Sequence, residues 1–375
     1  MIERQTRVLV VTPLGEGGRG GIDRMMDEIR PYGQSSDFRD LSISFWATRG
    51  SGRGLRAVGT YLFFLLRLLA ICVFRRPDVV HINLSSGGSV IRKVAICAIC
   101  RTFGVRYIVH LHGSRFRQYW NSSGPIVGRF IAFIFTKADR VFVLGSVWQA
   151  FVVGKLPQIA ERLYILPNAC RRGGASETPD AIVRLIFLGQ VGERKGTFDL
   201  IEALALLPPD LRWQAILAGD GETKRASALA RQRGLQDKVQ VLGWVGPDRI
   251  RALLGSSQIL ALPSYDENLP MSVIEAMAWG LAVVTTPVGA VEDIIVDGER
   301  GLLVAPGDIR TLAARLEQVI SSGPMRETLG RNARAFYEEH LSIDRYAARL
   351  HAHWIEVASD RGGIARSGHL LTQGN

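Results

Sequence analysis

Residues 259–285 read ILALPSYDENLPMSVIEAMAWGLAVVT, in which two short apolar runs flank a polar loop and an apolar segment of helical length. The runs Ile259–Leu262 and Ala282–Thr285 predict buried strands, and Pro270–Trp279 predicts a helix between them. Strands that alternate with helices in this way are typical of a parallel sheet with helices on both faces. This stretch therefore predicts an α/β fold.

The same alternation recurs through both halves of the chain. In the first half, apolar runs predict strands over Arg7–Thr12, Val79–Asn83, Arg106–Leu111, Arg140–Leu144 and Leu163–Leu166. In the second half, they predict further strands over Arg184–Leu188, Trp213–Leu217 and Val239–Leu242. Helical segments separate most of these runs, so we expect two Rossmann-like domains that face each other across a central cleft.

A polar stretch marks the expected boundary between the domains. Asn168–Asp180 has no apolar periodicity and predicts the interdomain linker. We expect residues 1–167 to form the first domain and residues 168–342 the second. A last long helix is predicted over Ile343–Val357, and we expect residues 343–375 to cross back to the first domain.

Composition excludes several classes of protein. Of the 375 residues, 47% are hydrophobic and 22% charged, which is typical of a globular chain and not of a fibrous or disordered one. The four cysteines are too few for a disulfide scaffold. Cys97 and Cys100 lie in an apolar run, which favours buried helical thiols over a zinc or redox site. The N-terminal residues do not resemble a signal peptide, so we expect a cytoplasmic protein.

The positive charge of the chain is concentrated in its first half. Residues 1–167 contain 23 Lys and Arg against 10 Asp and Glu, a net charge of +13, whereas the remainder has a net charge of −2. Such asymmetry indicates an anionic partner, either a nucleic acid or an anionic membrane. No recognition helix is evident, and the aromatic residues do not lie among the arginines, so we do not expect nucleic-acid binding.

The most apolar stretch of the chain lies in this basic half. Tyr61–Phe74 has 14 residues and contains Arg67, so it is shorter than the roughly 20 apolar residues that a spanning helix needs. Arginines flank it at positions 49, 53, 56, 75 and 76. One hypothesis is an interfacial helix on an anionic membrane, and the other is a helix packed on the sheet with Arg67 reaching the surface. The net charge of this half favours the membrane.

Two carboxylates stand out in the quoted stretch. Glu267 lies in the loop before the predicted helix, and Glu275 lies about one turn inside it. The amide groups at a helix N-terminus attract phosphate, and carboxylates accept hydrogen bonds from sugar or ribose hydroxyls. The spacing alone also fits an ordinary loop acid followed by an ordinary helical glutamate.

The segment Pro263–Gly280 resembles the nucleotide-sugar-binding signature of the retaining glycosyltransferases of family 4, which have the GT-B fold. The matching residues are Pro263, Ser264, Glu267, Pro270, Glu275, Ala276, Met277, Ala278 and Gly280. The resemblance is dense over the second half and looser over the first. It implies that Glu267 contacts hydroxyls of the donor sugar together with the amides of Asn268 and Leu269. It also implies that Glu275 holds the ribose.

Three other segments resemble parts of the same family. Gly189–Gly196 is similar to its diphosphate-binding loop, with Lys195 in the expected place but Gln190 where an arginine is usual, so Arg194 is the candidate replacement. His112 matches the histidine that lines the donor-sugar side of the cleft. The cluster Gly15–Gly21, with Gly17 and Gly18 at its centre, is similar to the family's glycine-rich loop, which approaches the sugar phosphate or the acceptor.

The resemblance implies an enzyme that moves a sugar from a nucleotide-sugar donor to a hydroxyl of a lipid-linked or membrane-proximal glycan. Glu267, His112 and Lys195 are the expected catalytic residues. We expect no metal or other cofactor, because no Asp-x-Asp or His-Glu-x-x-His motif occurs and Arg194 and Lys195 supply cations for the diphosphate. The expected location is the inner face of the cytoplasmic membrane. A nucleotide-sugar epimerase of the same fold is the alternative enzyme.

Overall fold

The computed structural model describes residues 4–360 except residues 19, 51, 53 and 175–181. Three parts of the sequence discussed above therefore lie outside the described residues. They are Arg53, residues 175–180 of the expected linker and the tail after Asp360. Within the described ranges, the strands form two parallel sheets of six strands each. Each sheet is covered by helices, and the predicted α/β class with two Rossmann-like units is confirmed.

The first sheet has the strand order β2-β1-β3-β4-β5-β6. Its strands are β1 Thr6–Thr12, β2 Leu41–Ala47, β3 Val79–Leu84, β4 Arg106–Leu111, β5 Arg140–Val143 and β6 Leu163–Ile165. Its helices are α1 Gly21–Ile29, α2 Leu55–Phe74, α3 Gly88–Thr102, α4 Phe116–Ser122, α5 Pro125–Thr136 and α6 Ser146–Lys155. Strand β2 was not predicted, because it pairs only with β1 at the sheet edge and alternates in burial instead of forming an apolar run.

The second sheet has the strand order β12-β11-β10-β7-β8-β9. Its strands are β7 Val183–Leu188, β8 Trp213–Ala218, β9 Val239–Leu242, β10 Ile259–Leu262, β11 Ala282–Thr285 and β12 Leu302–Leu303. The helices that follow are α7 Thr197–Ala205, α8 Thr223–Gln232, α9 Pro247–Gly255, α10 Met271–Trp279, α11 Ile309–Ser321, α12 Gly323–His340 and α13 Ile343–Ser359. The central strands β7 and β10 pair in parallel although 70 residues of chain separate them.

The strand orders determine where a ligand can bind. In each sheet the chain first moves to one side and then returns to build the other side, so the direction of winding changes between β1 and β3 and between β7 and β10. Ligands of open parallel sheets bind beyond the carboxyl ends of the strands at such a switch point. The loops that carry the predicted site residues follow β1, β4, β7 and β10.

The apolar helix near residue 60 is longer than its sequence predicted. It extends over Leu55–Phe74 and has 20 residues, because the polar residues near its start interrupt the apolar run without ending the helix. By length and composition the helix is long and apolar enough to cross a bilayer, so the prediction that it is too short is wrong. Both of its ends lead into strands of one sheet, and Phe64, Leu68 and Cys72 are buried. The helix contacts the first sheet through Phe64, whose ring packs edge-on against Trp46 of β2.

The closing helix α13 packs on the first domain. The indole Nε1 of Trp354 donates to Nδ1 of His81 at 3.2 Å, and both side chains are buried. Arg106 Nη1 donates to the carbonyl of Val357 at 2.6 Å. Helix α13 therefore joins the first domain although it follows the second in sequence.

The Cys97–Cys100 pair is buried in α3, and both thiols are free. Burial raises the pKa of the Cys97 thiol to about 12, so it stays protonated. The expectation of buried helical thiols is confirmed for these two residues.

Candidate active site

The carboxyl edges of the two sheets face each other, and several side-chain contacts cross between them. Asn268 Nδ2, in the loop after β10, donates to the carbonyl of Leu111 at the end of β4 at 3.4 Å. Ser114 Oγ donates to the carboxylate of Asp266 at 3.2 Å. A third contact joins Arg24 of α1 to Glu275 of α10. The loops with the predicted site residues therefore line one cleft.

Glu267 and Lys195 meet at the switch point between β7 and β10. The ammonium group of Lys195 forms an ion pair with Oε1 of Glu267, and both side chains are nearly buried. Gly196 permits this approach: its φ is +66°, and a Cβ atom there would lie 1.9 Å from the carbonyl oxygen of Pro263. Only glycine lets the loop after β7 contact the loop after β10 so closely.

Arg194 also faces the Glu267 loop. Its Nη1 atom donates to the carbonyl of Asp266 at 3.0 Å and lies 3.8 Å from Oε1 of Glu267. Gln190, which occupies the family's usual arginine position, is exposed. The structure thus places two cations, Arg194 and Lys195, beside one carboxylate.

Glu275 lies in the second turn of α10, and its carboxylate is largely buried. Arg24 Nη2 pairs with Oε1, whereas Oε2 is buried without a hydrogen-bond partner among the described residues. Burial raises the pKa of this carboxyl, and the nearby Arg24 opposes that shift. A buried acceptor oxygen without a partner is suited to a hydroxyl or amide donor of a ligand.

Helix α10 begins at the cleft. Pro270 is its N-cap residue, and no side chain caps the first turn. The amide groups and the positive end of the helix dipole at such a terminus suit an anion. The loop before it holds Asn268 and Leu269, whose side chains are buried, and the carbonyl of Leu269 accepts a hydrogen bond from Asn168 at 2.9 Å.

His112 is oriented by Asn83 in the first domain. Its Nε2 atom lies 2.9 Å from Oδ1 of Asn83, whose Nδ2 donates to the carbonyl of Val11 at 3.1 Å. Because Oδ1 can only accept, Nε2 is the protonated nitrogen and Nδ1 remains an acceptor. Burial lowers the pKa of His112 to about 3, so the imidazole is neutral at physiological pH.

The glycine-rich loop is held by carboxylates of α1. The amides of Leu14 and Gly15 donate to Asp23 Oδ1 at 3.0 and 3.1 Å. The Gly17 amide donates to Asp27 at 2.9 Å, so it is already satisfied within the domain. A Cβ atom at Gly18 would lie 2.6 Å from Asp23. Ligand binding by Gly17 and Gly18 stays a prediction.

Residues of α1 that reach the cleft were not predicted from the sequence. Asp23, Arg24 and Asp27 follow the glycine cluster at the start of a helix, where charged residues are common. Their spacing places Asp23 and Asp27 on one face of α1, below the loop. The four-residue spacing of Asp23 and Asp27 is the feature of the sequence from which this face of α1 could have been predicted.

A metal site is not evident among the residues that the structure describes: no group of three or more His, Cys, Asp and Glu side chains converges there. The charged groups at the cleft are instead paired with one another. Arg194 and Lys195 face Glu267, and Arg115 forms an ion pair with Asp266 of the same loop at 3.4 Å.

Two family models together match most of the chain. The Glycosyl transferase 4-like domain matches residues 1–169, and Glycosyl transferases group 1 matches residues 176–336. The lipopolysaccharide core biosynthesis glycosyltransferase LpsE of Rhizobium meliloti (strain 1021) is 33% identical over 154 residues, which are 41% of this chain and 44% of LpsE. The match thus spans less than half the length of this relative.

Solved structures show the same architecture over nearly the whole chain. Sucrose-phosphate synthase from Thermosynechococcus elongatus has a TM-score of 0.79 at 17% identity, over 94% of this chain and 99% of that one. Anabaena HepE, in complex with UDP and glucose, has a TM-score of 0.73 at 17% identity, over 94% and 100% of the two chains. At such identities the likeness shows the fold alone. The two family models show that the chain belongs to the family 4-type glycosyltransferases, and the solved structures show that it has their GT-B fold.

Proposed function

We propose that this protein transfers a sugar, with retention of configuration, from a nucleoside diphosphate sugar to a hydroxyl of a glycan acceptor. The observation that carries the proposal is the meeting of Lys195, Arg194 and Glu267 at the switch point between β7 and β10. Two cations and a carboxylate there match a substrate with an anionic diphosphate and a sugar rich in hydroxyl donors. The UDP and UDP-glucose bound to Anabaena HepE support a donor of this class.

The residues around the cleft suggest how the reaction proceeds. When the donor binds, Lys195 and Arg194 pair with its diphosphate instead of with Glu267. Their positive charges offset the negative charge that develops on the diphosphate as the glycosidic bond breaks. Glu267, released from Lys195, accepts hydrogen bonds from the sugar hydroxyls, and Oε2 of Glu275 accepts from the ribose. Neutral His112 offers Nδ1 as an acceptor on the opposite wall.

The acceptor then reacts with the bound donor. The acceptor hydroxyl attacks the anomeric carbon on the face that the diphosphate leaves, and the departing diphosphate receives the hydroxyl proton. Arg194 and Lys195 supply the positive charge that a metal ion supplies in other transferases, so we propose that no metal is needed.

We further propose that the acceptor is lipid-linked or membrane-proximal and belongs to a polysaccharide or lipopolysaccharide pathway. The name of LpsE, which acts in lipopolysaccharide core biosynthesis, supports this acceptor class. A membrane-bound acceptor requires that the enzyme reach the membrane surface.

Helices α2, α3 and α5 lie side by side on one side of the first sheet, and their outer side is apolar. We call this outer side the apolar face. Its exposed members are Leu55, Val58, Leu62, Phe63, Leu66, Val73, Phe74, Ile91, Ile126 and Phe130. A contiguous apolar surface of this kind marks an interaction site. The exposed Arg56, Arg75, Arg76 and Arg129 border it, so we propose that it docks peripherally on the anionic inner leaflet of the cytoplasmic membrane.

Variants of two adjacent phenylalanines test membrane docking separately from core packing. Phe63 is 67% exposed, whereas Phe64 is 3% exposed. We expect Phe63→Ala to weaken binding to vesicles of phosphatidylglycerol and phosphatidylcholine at unchanged melting temperature. Phe64→Ala should instead lower the free energy of unfolding by about 3–5 kcal/mol. Vesicle sedimentation and thermal unfolding measure the two effects, and full vesicle binding by Phe63→Ala would contradict docking through this face.

The charge contribution is tested on the same vesicles. Replacing Arg56, Arg75 and Arg76 with Ser should weaken binding, since each basic residue near an anionic surface contributes about 1 kcal/mol. Replacing the exposed Arg249 and Arg251 of the second domain is the control. Salt-dependent binding to duplex or single-stranded nucleic acid, with no binding to vesicles, would favour the nucleic-acid alternative.

A donor screen tests the proposed activity. The purified protein is incubated with UDP-, GDP- and dTDP-sugars, and we expect slow release of nucleoside diphosphate from at least one donor in the absence of chelatable metal. Release of none would overturn the proposal. Conversion of a donor to its epimer without release would identify the epimerase alternative instead.

A further inference from the structure

The ion pair between Arg24 and Glu275 crosses from one domain to the other. Arg24 lies on α1, directly after the glycine-rich loop of the first domain, and Glu275 lies on α10 of the second. Arg24 Nη2 contacts only one oxygen of the carboxylate, Oε1. The other oxygen, Oε2, is buried without a hydrogen-bond partner in the described part of the chain.

The environment of Glu275 disfavours its charge. Burial raises the pKa of the carboxyl, and Glu28 of α1 adds to the increase. Burial and the nearby Glu275 raise the pKa of the Cys170 thiol, so this thiol stays protonated and adds no charge beside Glu275. Arg24 is the cation that opposes these effects. The charge on Glu275 therefore depends on a residue of the other domain.

We propose that Arg24 is a positioning residue for the nucleotide: it holds Oε1 of Glu275 from the first domain so that Oε2 is presented to a ribose hydroxyl. This inference rests on the proposed function, in which Glu275 binds the ribose. Arg24 does not itself touch the donor. Nucleotide binding in the second domain then depends on contact with α1 of the first domain.

The opposite arrangement makes a different prediction. If Arg24 only closed the empty cleft and had to leave before a nucleotide could enter, its removal would tighten nucleotide binding. If Arg24 presents Glu275, its removal weakens binding. The sign of the change separates the two.

The test measures nucleotide binding to the full-length protein by calorimetry between pH 5.5 and 8.5. The probe is whichever of UDP, GDP and dTDP binds the wild type best. We expect Arg24→Gln to weaken binding roughly tenfold or more, as for loss of a hydrogen bond to a charged group. The loss should grow as the pH falls, because removal of Arg24 raises the pKa of Glu275 and protonation then begins at a higher pH. Arg24→Lys should recover part of the affinity and shift the pH dependence less.

Two further variants show whether Arg24 acts through Glu275. In a Glu275→Gln background, Arg24→Gln should cause little additional loss, since the partner of Arg24 is already neutral. Ser146→Ala is the matched control, because Ser146 binds Asp293 across the domains at 2.6 Å but contacts neither cleft carboxylate. We expect it to bind the nucleotide as the wild type does.

Unchanged or tighter binding by Arg24→Gln, or an equal loss in the Glu275→Gln background, would overturn the inference. If Arg24→Gln does not fold, the pH dependence of Arg24→Lys decides: a profile identical to that of the wild type would overturn it as well. If the wild type binds none of the three nucleotides, the proposed function is wrong and the inference is wrong with it.

Discussion

Glu267→Ala should lower turnover far more than it weakens donor binding. The carboxylate lies beside Lys195 and Arg194 at the centre of the cleft, where it would contact the reacting sugar. Loss of a charge-assisted hydrogen bond costs about 1.5–3 kcal/mol, which corresponds to a roughly ten- to hundredfold lower kcat.

Glu275→Ala is the matched comparison, because this carboxylate lies on α10 and would contact the ribose instead. It should raise the KM for the donor roughly tenfold with a smaller effect on kcat. Steady-state kinetics with the active donor from the screen measure both parameters. Wild-type kinetics in both variants would show that these carboxylates do not contact the donor.

Lys195→Ala should impair catalysis with every donor that the wild type accepts. The charge that Lys195 offsets develops on the diphosphate, which all such donors share. We expect a fall in kcat/KM of at least tenfold, since preorganised charge at a leaving group is among the larger contributions to catalysis. Release of nucleoside diphosphate from each donor measures the effect.

A control lysine distinguishes this effect from a general change in charge. Lys224 is exposed at the start of α8 in the same domain, and Lys224→Ala should leave the rate unchanged. Lys195→Arg should recover part of the activity by restoring the cation. An effect of Lys195→Ala on one donor sugar but not on others would show that the residue contacts the sugar rather than the diphosphate.

Buried strands were the features most readily predicted from the sequence. A strand covered by helices on both sides is mostly apolar, so runs such as Ile259–Leu262 are visible without further information. The edge strands β6 and β9 still formed visible apolar runs, but the edge strands β2 and β12 did not. Strand β2 pairs on one side only and alternates in burial, and β12 has two residues, so neither formed a visible run.

Helix boundaries were less predictable where packing decides them. The apolar run that begins at Tyr61 predicted a short helix, but the helix begins at Leu55 because backbone hydrogen bonds continue through the polar residues before it. Which of its apolar residues are buried depends on the sheet below. Phe63 and Phe64 are adjacent and chemically identical, yet one faces solvent and the other faces the core.

The sequence by itself determined the α/β class, the two-domain plan and the motif in which Glu267 and Glu275 occur, because these follow from local periodicity and from residues within one short segment. The tertiary structure decided which groups meet. Lys195 reaches Glu267 because β7 and β10 pair as neighbours, and Arg24 reaches Glu275 because the two sheets face each other. The residues in these contacts are separated in the sequence by 72 and by 251 positions. Such contacts depend on strand order and domain placement, which no local pattern encodes.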